Sequence, residues 1–571
     1  MTKRLILALL FSCSPLWATT YYVDNCVSVG NDRNNGTSTS TPWLTINKVN
    51  TSKFNPGDSI LFESTCTWRE QLTVPSSGSA GSPITFGAYG TGAAPIISGA
   101  NLFTSWTLSS GSVYYASYST APNQVFEDGG RLTQNTDSSA SLTAGQWYLD
   151  TANSRIWVYL TAGDSPSGHT MEASQRYQGI QITSSAPYVT LSGLEVDKSN
   201  WDGVEFGTSC TGLSATGLTL LLNFNDGMDV FPGTGIVVSY STAAYNGSNG
   251  FQSYDDPGIL FDHLSAHDNF VGIKFNGDAG GGSASQNGTV QYSLAYNNGV
   301  VPPNPYGAGI WADTVGSGFA VEYNLVYGNN LAGIEIDAAS GPAEVAYNIS
   351  FNNGSVSSGQ GYGIFLLADW QLSMTGHLVY SNTVSGNYTG GIVFWGPNPE
   401  QAGGCTNNIA KNNIAVNTTA GSNFIANSGC ENPGTNGSGN VYTYNGFGAQ
   451  ASSFIQWGGW PGGSPPAVYY STYSAWEGAY CGGAGCSHSV ESAPAFANAS
   501  AGQFWLTSGS PGIGAGTPLS SPYNIGLLPG STWPTGVATG PTNTPPDIGA
   551  FVYVPAVALN PPSNLQVVSV H

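Results

Sequence analysis

Residues 202–230 read DGVEFGTSCTGLSATGLTLLLNFNDGMDV, and this stretch begins and ends with the same short pattern. In each copy a glycine is followed by alternating apolar and polar positions, as in a β-strand. The pattern recurs eight times: DGVEF (202–206), DGMDV (226–230), NGFQS (249–253), VGIKF (271–275), AGIWA (308–312), AGIEI (332–336), YGIFL (362–366) and GGIVF (390–394). Its glycines are 24, 23, 22, 37, 24, 30 and 28 residues apart. This period predicts a solenoid of stacked coils, in which the longer steps carry loops.

A second motif runs in phase with the first and ends in asparagine: STAAYN (241–246), LSAHDN (264–269), SLAYNN (293–298), LVYGNN (325–330), ISFNN (349–353) and TVSGN (383–387). Asparagines at the same turn of successive coils can form a hydrogen-bonded ladder inside a solenoid. A globular sandwich would not keep one period over eight copies. We therefore predict an all-β right-handed parallel β-helix.

The segments outside the repeat suggest a domain order. Residues 1–18 have a basic start, an apolar run and a small-residue end, which is the layout of a secretory signal peptide cut after Ala18. A lipoprotein-type cut before Cys13 is the alternative. No later stretch is apolar enough for a membrane span, so we expect a secreted protein. The other predicted parts are an N-terminal cap with first coils (19–100), an inserted β-rich module (101–175), the main β-helix (176–430), C-terminal coils with an irregular cap (431–557) and a linker-like tail (558–571).

The cysteines agree with export. An oxidising compartment would allow three pairs that are close in sequence, Cys26–Cys66, Cys405–Cys430 and Cys481–Cys486, and would leave Cys210 unpaired. No cysteine or histidine spacing indicates zinc.

Composition limits the class of partner. Of the 571 residues 77 are glycine, only 8% are charged, and the net charge is −21. Such a chain is too hydrophobic and aromatic to be disordered and too acidic to bind nucleic acid.

Strand alternation predicts which side chains line an outer face. If the residue after each repeat glycine points inward, the next one points outward. That outward column reads Glu205, Asp229, Gln252, Lys274, Trp311, Glu335, Phe365 and Val393. Two positions further along each strand, Asn276, Asp313 and Asp337 follow, with Phe231 and Tyr254. We expect one polar and aromatic stripe that turns apolar after Glu335, with Glu205, Gln252, Tyr254, Asn276, Trp311 and Asp337 as substrate-binding residues.

Lys274 is the most conspicuous member of this stripe. After Lys198 the remaining 373 residues contain no arginine and only two lysines, Lys274 and Lys411. A lysine among carboxylates can simply neutralise an acidic face, but with so few cations in the chain we favour a functional role.

Three carboxylates suggest a cation site. Asp202 and Asp226 are one coil apart, and Asp229 shares a turn with Asp226. Oxygen ligands on adjacent coils suit Ca²⁺. Each Asp-Gly pair alone is better explained as an ordinary tight turn, so the prediction rests on the three carboxylates together.

The chain resembles a known superfamily. Two segments, YYVDNC (21–26) and GSPITFGAYGTGAAPIISG (81–99), are similar to the entry region of secreted bacterial pectin-lyase-like β-helix enzymes that act on polysaccharides. DIGAFVY (547–553) resembles their closing strand, and we expect it to be the last strand here. The site motifs resemble those of the family-nine pectate lyases. That resemblance implies a calcium site formed by Asp202, Asn225, Asp226 and Asp229, and a base, Lys274, for β-elimination on a uronate. Here Asn225 replaces an aspartate of the family pattern, and an extra coil precedes the lysine.

We therefore expect a secreted polysaccharide lyase that cleaves a uronate-containing, pectate-like polysaccharide. Two other functions remain open. Asp313 and Glu335 lie 22 residues apart, on adjacent coils, and could act as the carboxylate pair of a glycoside hydrolase. Some β-helix xylosidases have a similar pair and a similar inserted module. The third possibility is a non-catalytic surface protein whose stripe only binds glycan. In each case the expected partner is an extracellular polysaccharide, and the expected state is a monomer.

Overall fold

The computed structural model describes residues 18–26, 29–277, 287–299, 307–337, 341–368, 374–396, 404–431, 437–448, 453–459, 466–480 and 488–555. The predicted signal peptide (except its last residue, Ala18), Cys481, Cys486 and the linker-like tail lie outside them. The chain divides into two compact units, Met1–Leu260 and Phe261–His571. It has the fold of a right-handed parallel β-helix, as the repeat predicted.

The first unit contains coils built from three parallel sheets. In hydrogen-bonded order, the first sheet consists of Thr20–Val23, Ser59–Glu63, Ile84–Tyr89, Val189–Ser192, Ser214–Thr216 and Val237–Ser239. The second consists of Leu72–Thr73, Ile180–Ile182, Val204–Phe206, Met228–Val230 and Asn249–Tyr254. The third consists of Thr67–Trp68, Ile96–Ser98, Glu195–Asp197, Thr219–Leu221 and Thr242–Ala244. A short helix, Ile46–Asn50, packs Ile46 and Val49 into the core near the start of the unit.

Between the early and the later coils the chain forms two further sheets. One has four strands, Gly130–Arg131, Val125–Glu127, Met171–Ser174 and Ala100–Leu102. The other has five, Thr133–Gln134, Gln146–Asp150, Arg155–Tyr159, Val113–Ser117 and Thr107–Ser110. Trp147, Ile156 and Val158 belong to their shared core. Two 3-10 turns, Ser139–Ser141 and Pro166–Gly168, lie in the connecting loops.

The second unit also has three main sheets. The first consists of Leu260–Asp262 at the unit boundary, Thr289–Gln291, Phe319–Glu322, Ala343–Ala346, Leu378–Tyr380, Ile409–Lys411 and Val441–Thr443. The second consists of Val271–Asn276, Ile310–Asp313, Ala332–Asp337, Tyr362–Leu367, Gly390–Trp395, Ser422–Ala426, Ile455–Trp457 and the antiparallel Val468–Tyr470. The third consists of Ser265–His267, Leu294–Tyr296, Leu325–Tyr327, Ile349–Phe351, Thr383–Ser385 and Ile414–Val416.

Smaller elements complete the second unit. Met374–Thr375, Cys405–Thr406 and Gly437–Ser438 form a three-stranded parallel sheet, and two antiparallel pairs follow, Phe496–Asn498 with Gln503–Leu506 and Ile525–Leu527 with Thr539–Pro541. The helices are Ser428–Glu431, Tyr473–Tyr480 and the 3-10 turn Ala499–Ala501. Among the helices described here, none combines the length and the apolar character that a membrane span needs.

The predicted strand positions are confirmed within each unit. The strands at Gly203, Gly227 and Gly250 are parallel neighbours, and so are those from Gly272 to Gly391. The residues that follow the repeat glycines are fully buried, as expected for inward-pointing side chains: Val204, Met228, Phe251, Ile273, Ile310 and Ile334. Alternation along each strand then turns the next side chain to the outer face.

The asparagine ladder is also confirmed. In the second unit each side-chain N–H donates to the side-chain oxygen on the next coil: Asn298 to Asn329 at 2.9 Å, Asn329 to Asn353 at 3.0 Å, and Asn353 to Asn387 at 2.9 Å. A parallel ladder runs from Asn324 through Asn348, Asn382 and Asn413 to Asn445. These side chains are buried, so each amide is satisfied by the next coil instead of by water.

The cysteine predictions that fall on described residues are confirmed. Cys26 pairs with Cys66, Cys405 pairs with Cys430, and Cys210 is a buried free cysteine. The expected closing strand at 547–553 is wrong. Phe551 forms only one bridge, to Leu527. The segment packs Ile548 and Phe551 against apolar side chains on the outside of the coils, so its backbone partners are irregular and no strand forms.

Candidate functional site

Three adjacent strands of the second unit bring together the polar residues predicted there. Register pairs Lys274 with Trp311 and Trp311 with Glu335. A second column, two residues further along each strand, pairs Asn276 with Asp313 and Asp313 with Asp337. Because side chains two apart share a face, both columns lie on the same side of the sheet.

Lys274 is held by two of these neighbours. Its Nζ lies 3.5 Å from Oδ2 of Asp313 and 4.0 Å from the centroid of the Trp311 ring. The lysine and aspartate side chains both keep some exposure, 15% and 23%. The ammonium is therefore the counter-ion of Asp313, and it lies over one face of the Trp311 ring.

Glu335 has a different environment from Asp313, although it lies on the next coil. It is 4% exposed. Burial, and secondarily the charges of Asp337 and Asp313, raise the pKa of its carboxyl to about 8, while Lys274 acts in the opposite direction. Near neutral pH the carboxyl therefore keeps its proton. A protonated acid beside an ion-paired carboxylate is the division of roles that acid catalysis needs.

Two buried polar atoms in this cluster have no hydrogen-bond partner among the described residues: Oε2 of Glu335 and Nε1 of Trp311. A buried polar atom without a hydrogen-bond partner reduces the stability of the fold by about 1–3 kcal/mol. Such an atom therefore usually forms a hydrogen bond to a ligand or to an ordered water. The cluster thus presents a proton donor and an N–H donor with no protein partner.

The stripe turns apolar after this point, as predicted. Register continues from Glu335 to Phe365 and from Asp337 to Leu367. The Phe365 ring stacks on Tyr362 at 4.3 Å. The polar cluster therefore ends against a hydrophobic surface.

The first unit holds the three carboxylates that were predicted as metal ligands. Carboxylate oxygens of Asp202, Asp226 and Asp229 all lie within 4.8 Å of one another. All three side chains are buried. Burial comes first in raising the pKa of Asp202 to about 7 and that of Asp229 to about 8, and Asp226 is the largest charge contribution to both.

Amides surround this acidic triad, by which we mean Asp202, Asp226 and Asp229. The side chain of Asn225 donates to Oδ1 of Asp202 at 2.9 Å. The side chain of Asn249 donates to Oδ1 of Asp226 at 3.0 Å, and Gln252 donates to Oδ1 of Asp229 at 3.3 Å. The donor set fits Ca²⁺ in kind, because it offers three carboxylates from neighbouring coils.

The other predicted substrate-binding residues of the first unit have protein partners. Glu205 accepts hydrogen bonds from the side chains of Gln178 and Gln181 at 2.7 and 3.0 Å. The Tyr254 ring stacks on Phe231 at 5.5 Å. The expectation that the outward column forms an open stripe is too simple, since Asp229 and Gln252 are each 5% exposed. These buried side chains form hydrogen bonds from coil to coil, as Gln252 does with Asp229.

Sequence reasoning missed Asn249. Its side-chain amide donates to Oδ1 of Asp226 and also to Oε1 of Gln252, the latter at 2.6 Å. A signal was present, because the residue before each repeat glycine forms its own column, Asp202, Asp226 and Asn249.

Comparison with known families supports the fold. A family described as "Right handed beta helix region" matches residues 178–375. The solved structure of XylC with xylose superposes with a TM-score of 0.54 at 14% identity, covering 71% of this chain and 76% of that one. Pectate lyase Pel9A gives a TM-score of 0.40 at 17% identity, covering 94% and 96%.

A curated protein shares a short stretch of sequence with this chain. Lacto-N-biosidase from Bifidobacterium longum subsp. longum is 42% identical over 76 residues, which are 13% of this chain and 5% of that protein. The match therefore covers a small part of both.

Proposed function

We propose that this protein is a secreted β-helix glycoside hydrolase in which Glu335 is the general acid and Asp313 the partner carboxylate. The observation that carries the proposal is the contrast between two carboxyls on adjacent coils. The pKa of Glu335 is raised to about 8, whereas Asp313 is paired with the ammonium of Lys274 at 3.5 Å. Carboxyls in such different environments can take opposite roles in one reaction.

The chemistry follows from those roles. Glu335 donates its proton to the glycosidic oxygen as the bond to the anomeric carbon breaks, and the leaving sugar departs as an alcohol. The charged carboxylate of Asp313 stabilises the positive charge that develops on the ring, and either attacks the anomeric carbon or removes a proton from the attacking water. The anomeric configuration of the first product distinguishes these two routes. Lys274 positions Asp313, and the ring of Trp311 lies under the Lys274 ammonium.

The substrate proposed is a neutral glycan. The chain has 33 acidic and 12 basic residues, and a polyanionic substrate would be repelled by this excess. The short match to lacto-N-biosidase agrees with this class. Export agrees with the two disulfides and with the basic and apolar start of the sequence.

The second candidate is a Ca²⁺-assisted lyase acting on a uronate. It is favoured by the convergence of Asp202, Asp226 and Asp229. Those residues would hold the ion, which would supply charge neutralisation for the substrate carboxylate. Lys274 would be the base. We rank it second because Lys274 is already held by Asp313 and Trp311.

One assay separates the two candidates. The protein is incubated with xylan, other neutral glycans, pectate and alginate, with and without EDTA, and both new reducing ends and the ultraviolet absorbance of unsaturated ends are recorded. The proposal expects reducing ends without absorbance, and no loss with EDTA. Unsaturated products that disappear with EDTA would establish the lyase instead.

A further inference from the structure

A concave surface lies in the unit that begins at Phe261. It is a cleft of about 860 Å³. One side is formed by the strands Leu294–Tyr296, Leu325–Tyr327 and Ile349–Phe351, and the other by residues 500–505 and 530–533. Those strands belong to a different sheet from the strands that carry Lys274, Asp313 and Glu335. The cleft is therefore separate from the acid pair.

The strand side of the cleft is a rigid aromatic surface. The rings of Tyr296, Tyr327 and Phe351 stack from coil to coil at 5.2 and 5.0 Å, and Phe504 closes the column 5.0 Å from Phe351. The opposite wall approaches closely at Gly502, where an added Cβ would lie 3.5 Å from the Phe351 ring. The two walls therefore come close to each other at Gly502.

The lining has a consistent chemistry. Four aromatic rings, those of Tyr327, Phe351, Trp505 and Trp533, stand beside uncharged amide and hydroxyl side chains, those of Asn352, Gln503, Ser531 and Thr532. Asn352 and Gln503 are exposed, and the four rings are half-buried. None of the residues that line the cleft is charged. Trp533 is held in place because its Nε1 donates to the carbonyl of Tyr323 at 2.7 Å.

This chemistry selects one class of ligand. Sugar rings place their C–H faces on aromatic side chains and bind amides and hydroxyls through their own hydroxyls. The volume lies within the range of about 300–1,000 Å³ typical of ligand sites. A polyanion would find no counter-charge here and would meet a protein of net charge −21.

We propose that this cleft is a second, non-catalytic binding site for a neutral oligosaccharide chain. It holds the polymer on a face that the acid pair does not occupy. Its existence does not depend on whether the acid pair or the acidic triad performs the reaction.

The test is native affinity electrophoresis in gels containing soluble xylan, β-glucan or galactomannan, with polygalacturonate as the charged comparator. The Glu335→Gln protein is used, so that the polymer is not degraded during the run. At least one neutral glycan should retard it, and substitutions in the cleft should not alter any retardation by polygalacturonate. Trp505→Ala and Gln503→Ala, each added to that background, should weaken retardation by about tenfold in dissociation constant, the effect of losing about 1.4 kcal/mol of contact.

Asn524→Ala is the matched control, because Asn524 is an exposed amide of the same C-terminal region outside the cleft lining. It should bind like the background protein. Gln503→Ala keeps the test valid if Trp505→Ala does not fold, since Gln503 is exposed. The proposal is overturned if no neutral glycan retards the protein, if Gln503→Ala and Trp505→Ala bind normally, or if those two substitutions weaken the binding of polygalacturonate as well. Concentration-dependent association lost in Trp505→Ala would identify a second copy as the occupant and would also overturn it.

Discussion

The ammonium of Lys274 and the carboxylate of Asp313 form an ion pair of 3.5 Å between strands of adjacent coils. The lysine stands directly beside Trp311 in register, and Asp313 is two residues further along the same strand as that tryptophan. The pair therefore crosses the sheet diagonally and fixes one carboxylate relative to the acid on the next coil, Glu335. In a chain with only 8% charged residues, this arrangement concentrates opposite charges at one place.

The first prediction concerns Lys274. Lys274→Met removes the counter-ion of Asp313 and keeps an unbranched side chain against Trp311. We expect kcat on a neutral glycan to fall by about 10- to 100-fold with a smaller change in KM, because positioning is lost while the acid remains. Steady-state kinetics measures the split.

Lys411→Met is the control for that experiment, since Lys411 is the other lysine of the second unit and lies on a strand of another sheet. It should retain full activity. Complete loss of elimination activity in Lys274→Met, with unsaturated product in the parent protein, would assign the lysine as a base.

The second prediction concerns pH. The folded protein holds the proton of Glu335 up to about pH 8, whereas a free glutamate releases it near 4.5. The folded state therefore binds more protons between these values, and stability falls as pH rises from 4.5 to about 8. Glu335→Gln should remove this loss, which is on the order of a few kcal/mol. Its melting temperature should exceed that of the parent at about pH 9 and match it at about pH 4. Equal melting temperatures at both values would show that Glu335 is not held protonated.

The repeat made most of the fold predictable. Gly203 and Gly227 mark strands because only a glycine fits the close approach of the next coil: a Cβ at Gly203 would lie 2.5 Å from the carbonyl oxygen of Gly227, and one at Gly227 would lie 2.5 Å from that of Gly250. Asn348 and its ladder partners could be inferred for a similar reason, since a buried amide needs the same amide on the next coil. The closing segment at 547–553 could not be inferred, because its apolar residues satisfy either a strand or a surface packed on the coils.

The site was less predictable. Sequence placed Lys274, Asp313 and Glu335 on one face, but it could not show that Glu335 is covered while Asp313 stays partly exposed. Exposure depends on loops and neighbouring coils, which a strand pattern does not encode. Nor could the spacing show that the Lys274 side chain turns toward Asp313 and lies over the ring of Trp311. The rotamer of Lys274 depends on how the neighbouring side chains pack.

The third prediction tests the ladder. Asn348 donates to Asn382 at 3.0 Å and to the carbonyl of Val321 at 2.8 Å, and it accepts from Asn324. Asn348→Ala should reduce the free energy of unfolding by about 2–4 kcal/mol, because it leaves buried partners unsatisfied. Denaturant titration measures it. Asn524→Ala, at an exposed position, should change it by less than about 0.5 kcal/mol. Similar values for both would contradict the role of the ladder.

The fourth prediction concerns His169 in the sheets inserted between the early and later coils. Hydrogen bonds to Asp128, at 2.7 Å, and to Asp164, at 3.1 Å, raise the pKa of His169 to about 9 from its usual 6.5. Its contribution to stability is complete below pH 6.5 and is lost as pH rises through about 9. His169→Gln should therefore lower the melting temperature at about pH 6 and leave it unchanged near pH 10. A difference that grows with pH would contradict this sign.

The most direct measurement of the central claim compares leaving groups. A general acid is needed when a sugar alcohol leaves, but not when an activated aryl group such as dinitrophenolate leaves. Glu335→Gln should therefore lose about 10²–10⁴-fold of its activity on a natural neutral glycan and keep most of it on the matching dinitrophenyl glycoside. Asp313→Asn should lose activity on both. If Glu335→Gln hydrolyses the glycan at the parental rate, or loses both substrates equally, Glu335 is not the acid and the account is wrong.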